Sequence, residues 1–188
     1  VSEYSREKAI IDGVNVGEDK FIIETDKSKN GGYICKQIVE KRERLTRRKR
    51  WEQLDEDIDY DKEELDKTIV VPDQIRLVLE TFKNAVEQIY PERKELPKTL
   101  IFAKDDSHAE DIVRIAREVF GKGDEFCQKI TYSADRPEDV LKEFRNGLPM
   151  RIAVTVNMIA TGTDVKPLEC LLFMRDVKSK NFFEQMLG

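Results

Sequence analysis

The chain has only three cysteines, Cys35, Cys127 and Cys170, and one histidine, His108, in 188 residues. The cysteines lie far apart and form no CxxC pair, so neither a disulfide framework nor a Cys/His metal cluster is encoded. An odd, sparse cysteine count fits a reducing compartment such as the cytoplasm. No apolar run approaches the ~20 residues that a membrane-spanning helix needs. Residues 1–8 contain no signal-peptide core. A GxxxxGK(S/T) phosphate loop is missing, and so is an acidic run of the DEAH type that would hold Mg2+. Neither sequence signature of a P-loop nucleotide site is therefore present in the chain. A net charge of −5 excludes a wholly basic nucleic-acid surface but leaves room for a local basic patch.

Apolar residues make up 39% of the chain, enough for one core, and charged residues 38%. An average globular chain has about 25% charged residues, so the excess belongs on solvated or exposed segments. Composition divides the chain into three parts. In residues 1–32, two apolar runs, 9–16 and 21–25, flank a Gly17-Glu18-Asp19-Lys20 turn and predict a β-hairpin. Residues 33–70 are charge-rich, with Lys41-Arg42-Glu43-Arg44 and Arg47-Arg48-Lys49-Arg50 followed by a strongly acidic stretch. This block reads as a charged insert, helical or partly ordered. Its basic run is open to two readings, a solvated helix face or a DNA-facing patch. Trp51 can pack or stack on a base.

Residues 71–188 are regular α/β. Ile75, Val78, Leu79, Phe82, Val86 and Ile89 recur at helical spacing behind Pro72. Residues 99–103, 127–132, 151–156 and 168–174 are short apolar strands. Between them, a helix capped by Ser107 runs to Gly121 and Gly123, and a second runs from Pro137 to an Asn146-Gly147 stop. His108 is expected on the surface of the first. Strands and helices alternating at this spacing imply βαβ units and a mainly parallel sheet.

In such sheets ligands bind beyond the carboxyl ends of the strands. Thr161-Gly162-Thr163-Asp164 follows one of those ends. Gly162 lets the backbone approach a phosphate, and the Thr hydroxyls can donate to phosphate oxygens. Asp164 would repel phosphate, but can accept from a ribose hydroxyl or orient an arginine. On physics alone the cluster also reads as a capped turn. Lys104 and Ser133 follow other strand ends, where either a DNA phosphate contact or a plain surface loop is open to them.

Several landmarks then fall in a telling order: Lys98-Thr99-Leu100-Ile101-Phe102-Ala103, the 130–135 strand and loop, Glu143-Phe144-Arg145-Asn146-Gly147, residues 155–164, and Gln185-Met186-Leu187-Gly188. They resemble motif IV through the first half of motif VI in the second RecA-like lobe of superfamily-two helicases and translocases. The upstream run 9–16, the insert with Trp51, Tyr60-Asp61-Lys62-Glu63-Glu64 and the TGTDVKP wording narrow the likeness. They resemble restriction (R) subunits of type I restriction–modification enzymes. The resemblance implies a lobe cut within motif VI, before its arginines. It implies a motor that moves double-stranded DNA at the expense of ATP before cleavage. ATP and Mg2+ would sit mainly on another lobe, and the partners would be double-stranded DNA and the methylation and specificity subunits. It places Gly162, Asp164 and Gln185 at the nucleotide cleft, and Lys104, Ser133, Thr161 and Thr163 on DNA. No catalytic residue and no metal ligand falls in this stretch, so the isolated chain is expected to be inactive. Two other readings remain: the second lobe of another superfamily-two DNA or RNA helicase, and a non-motor α/β interaction module.

Overall fold

The central strands are largely apolar, with one threonine at an end of each, because both faces of their sheet are covered. Thr99–Phe102 (β5) and Ile152–Thr155 (β7) are buried throughout, as continuous runs in a parallel sheet must be. The computed structural model describes residues 8, 11–12, 19–23, 32–34, 38–42, 49–53, 58–60, 72–133, 136–157, 165, 168–175 and 177, with backbone alone for 32–60. Cys127–Lys129 (β6) and Cys170–Phe173 (β8) complete a four-stranded sheet in the order β6-β7-β5-β8. All three strand pairs are parallel, with Thr99 in register with both Ile152 and Cys170.

Alternation along each strand separates two cores. Ile101, Ala103, Ile152 and Val154 face Pro72–Ile89 (α1) and Asp106–Phe120 (α2). Leu100, Phe102 and Ala153 face the side of Pro137–Asn146 (α3), where Phe144, Met150, Val165 and the partly buried Leu171 and Phe173 gather. Phe102 and Phe173 stack with ring centroids 5.2 Å apart. The result is three layers, helices on both sides of a parallel sheet, as the sequence predicts.

In α1, Ile75, Leu79, Phe82 and Val86 form one buried stripe at steps of three and four residues. Ile89, at the end of the helix, is exposed. The α1–α2 seam is closed by an Arg76–Glu118 ion pair and by Lys83 Nζ donating to the Val119 carbonyl at 3.3 Å.

Four expectations need correction. The described part of the 33–70 insert is extended rather than helical. Gly32–Ile34 (β1) pairs antiparallel with Ile58–Tyr60 (β4), and Ile38–Arg42 (β2) with Lys49–Gln53 (β3). Lys, Arg and Glu favour helices locally, but strand pairing is decided by a partner elsewhere in the chain, which local composition cannot show. In the predicted N-terminal hairpin, Lys8 and Ile11 are helical, Asp12 N donates to the Lys8 carbonyl at 2.9 Å, and residues 21–23 form no strand. The rest of that hairpin lies outside the described residues. Helix α2 is capped by Asp105, not Ser107. Asp105 is extended at φ −148°, and its carboxylate accepts from His108 N at 2.8 Å. The helix thus starts earlier, which turns His108 inward to 7% exposure instead of onto the surface.

Candidate nucleic-acid interface

The carboxyl edge of the sheet gathers the ends of β5, β6, β7 and β8. At the first of these, Lys104 is half-buried, and its backbone N–H donates to His108 Nδ1 at 3.3 Å. The buried imidazole one turn into α2 therefore holds the strand-to-helix corner that carries Lys104.

Beyond β6 a polar cluster forms around Asp106 in the first turn of α2. Thr131 Oγ1 and Ser133 Oγ donate to Asp106 Oδ1 at 2.6 Å and 2.5 Å. Lys129 Nζ donates to Asp106 Oδ2 and to Glu110 Oε1, each at 2.9 Å. Burial pushes the Asp106 carboxyl up, but the hydrogen bonds from Ser133, Thr131 and Lys129 outweigh it and hold it down at about 2. Burial likewise lowers Lys129, yet its bonds to Asp106 and Glu110 leave the ammonium above the usual lysine value. A hydroxyl has one proton to give. With that proton on Asp106, a phosphate at Ser133 must displace the carboxylate or use the backbone N–H.

At the β7 and β8 ends, Arg175 Nη1 lies 3.2 Å from the Val156 carbonyl, 3.1 Å from Asn157 Oδ1 and 3.5 Å from the Ala103 carbonyl. One guanidinium so ties together the ends of β5, β7 and β8. The segment that starts after Asn157 returns to the core at Val165, which is 7% exposed among the residues on the α3 side. Thr155 Oγ1, two residues before Asn157, is buried with no hydrogen-bond partner among the described residues. Thr161, Gly162, Thr163, Asp164 and Gln185 lie outside the described residues, which show only the two anchors of the stretch between Asn157 and Val165.

Sequence reasoning missed Asp106, Asn157 and Arg175. Asp106 carried a weak signal as the second of two acidic residues at a helix start. Arg175 carried none, because its acceptor on Ala103 lies 72 residues away along the chain.

With helices on both faces of an all-parallel sheet and polar groups collected at its carboxyl edge, the molecule is an α/β lobe of the RecA-like kind. Its relatives are endonuclease subunits of type I restriction enzymes. The EcoKI endonuclease subunit of Escherichia coli K12 is 28% identical over 200 residues, covering 100% of this chain. The EcoAI endonuclease subunit of E. coli is 28% identical over 137 residues, covering 69% of the chain. The chain spans 16% of the length of each. IRC3 of Saccharomyces cerevisiae, assigned as an ATP-dependent helicase, is 25% identical over 97 residues, covering 52% of the chain and 14% of IRC3. A solved fragment from Vibrio vulnificus YJ016, assigned as an HsdR subunit of a type I restriction enzyme, shares the fold with a TM-score of 0.51. It is 18% identical, covering 62% of this chain and 24% of that one. No family model matches the chain. Among the described residues no helix is long and apolar enough to cross a membrane.

Proposed function

We propose that this chain is the second motor lobe of a type I restriction endonuclease subunit, coupling ATP hydrolysis to movement of double-stranded DNA before cleavage. The observation that carries this reading is similarity to such a subunit along the whole chain, in a stretch that folds as a RecA-like lobe. In this reading Gly162, Asp164 and Gln185 form the rim of the nucleotide cleft. Lys104, Ser133, Thr161 and Thr163 meet the DNA backbone, with Ser133 giving up its bond to Asp106 to do so. ATP and Mg2+ bind mainly to another lobe. Methylation and specificity subunits complete the complex in the cytoplasm, and target recognition belongs to them. The match to IRC3 supports the motor, as opposed to the nuclease, as the part of the subunit represented.

The stretch between Asn157 and Val165 then lies between DNA track and nucleotide cleft, where closure of two lobes couples binding to motion. In the full-length protein, Thr161→Ala and Asp164→Ala should leave folding and complex assembly intact. Both should cut DNA-stimulated ATP hydrolysis and translocation at least tenfold. The measurement is ATPase rate with and without DNA, a translocation assay, and thermal melting of each variant. Full DNA-stimulated ATPase and translocation in Asp164→Ala would overturn the assignment. Unfolding of the lobe would instead make residues 161–164 a structural capped turn.

A further inference from the structure

We propose that Arg175 is a positioning residue for DNA binding: its guanidinium, reaching from the end of β8 over the end of β5, holds the exit of β7 in place relative to Lys104. The chain changes face at β5. That strand leads into α2 on one side of the sheet, whereas β7 leads towards Val165 and β8 towards Val177, both on the α3 side. Adjacent strands whose continuations part to opposite faces open a crevice at their carboxyl ends, where open α/β sheets bind ligands. β7 and β8 both adjoin β5, so the chain parts in this way on either side of it.

The Ala103 N–H donates to the Thr155 carbonyl at 2.7 Å, one rung past the last paired residues of β5 and β7. Beyond that rung the two segments separate, one to Lys104 and the other to Asn157. Arg175 meets the first groups past it. Its Nη1 lies 3.1 Å from Asn157 Oδ1, 3.2 Å from the Val156 carbonyl and 3.5 Å from the Ala103 carbonyl. One guanidinium nitrogen of this kind has two protons to give. The two shorter contacts, both on the β7 exit, are therefore its bonds, and the Ala103 contact sets the group over the end of β5. A charged donor makes such bonds stronger than a neutral one would. Arg175 is half-buried and Asn157 exposed, so the clasp sits on the edge of the sheet and fills neither core. Its consequence for DNA rests on the motor reading above, in which Lys104, Thr161 and Thr163 meet the DNA backbone. Contacts to phosphates fix a protein's register on the duplex. Lys104 follows β5 in the chain, and residues 161 and 163 follow β7. They serve one duplex together only while the two exits keep their separation.

The test uses the full-length protein, with ATPase rate measured against the concentration of a mixed-sequence DNA duplex and, separately, of ATP. Arg175→Gln should raise the duplex concentration for half-maximal stimulation at least about tenfold, because small misplacements of contact groups cost that much or more. The KM for ATP should stay within about twofold, since positioning of the DNA contacts leaves nucleotide affinity alone. Asn157→Ala removes one acceptor and leaves the guanidinium; it should raise the duplex concentration by about fivefold. The double variant should be no worse than Arg175→Gln alone, because two partners in one bond are lost only once. A duplex requirement at the wild-type value in folded Arg175→Gln would overturn the proposal. A KM for ATP that rises in step with the duplex requirement would also overturn it, by placing Arg175 in the nucleotide cleft, and so would fully additive losses in the double variant. If Arg175→Gln melts below the assay temperature, Asn157→Ala decides, and a wild-type duplex requirement there overturns the proposal. Absence of DNA-stimulated ATPase in the wild-type protein would sink the motor reading and this inference with it. Wild-type stimulation with unaffected variants would sink this inference alone.

Discussion

Asp106 shows how much one residue can organise. Its carboxylate collects donors from Thr131 and Ser133 beyond β6 and from Lys129 within it, so the first turn of α2 sets the position of the loop that follows a strand two places away in the sheet. Its folded-state value near 2, against an ordinary 3.8, carries a sign. The folded value is depressed, so the stabilisation is fully present above about pH 4 and is lost as pH falls through about 2. The difference corresponds to roughly 2 kcal/mol. Asp106→Asn should therefore lower stability by on the order of 2 kcal/mol at pH 7. The gap between variant and wild type should narrow as pH falls from about 4 towards about 2. Urea unfolding at a series of pH values reads this directly, and a pH-independent gap would show that Asp106 is not held as an ion.

At the scale of the element, α2 is fastened at both ends and along one side. Asp105 caps its start, and Gly121 closes its end at φ 60°, its N–H directed to the Arg117 and Glu118 carbonyls. Arg117 Nε and Nη2 donate to the Cys127 carbonyl at 3.0 Å and 2.8 Å, joining the helix to β6, an outer strand of the sheet. A Cβ at Gly121 would meet nothing within 4 Å, so only the left-handed backbone opposes a side chain there. Gly121→Ala should cost about 1 kcal/mol, from conformation alone. Asp105→Ala should cost about 1 kcal/mol by removing the cap, and Ser107→Ala less than about 0.5 kcal/mol. Denaturant melts of the three variants order them. A larger loss for Ser107 than for Asp105 would restore the cap expected from sequence.

For the whole molecule, the absence of a phosphate loop from the sequence governs what the chain can do alone. Phosphoryl transfer in this class needs the loop, Mg2+ and a charge-stabilising arginine in one place. The purified 188-residue chain should fold, and should show no ATP hydrolysis above background with or without DNA. Hydrolysis that co-purifies with the chain and disappears in a variant of it would contradict this. In the motor reading proposed above, the lobe works by closing on another. At the carboxyl edge of its sheet Arg175 ties three strand ends and Asp106 holds the β6 loop.

Sequence alone determined the layers of this protein. β5 and β7 were legible because a strand buried on both faces is a near-continuous apolar run, and α1 and α2 because a helix on a sheet must repeat its apolar residues every three to four positions. Both signals lie within one turn or one strand. Gly121 and the Asn146-Gly147 stop were legible for the same local reason. Tertiary structure decided whatever depends on a partner far along the chain. It turned His108 inward and committed the Ser133 hydroxyl to a carboxylate 27 residues away. It also paired Lys41 and Arg42 with Arg50 and Lys49 as strands, in spite of the helix-favouring composition around them. Periodicity is a property of neighbours, but hydrogen-bond partners and strand register are chosen only when the chain has closed on itself.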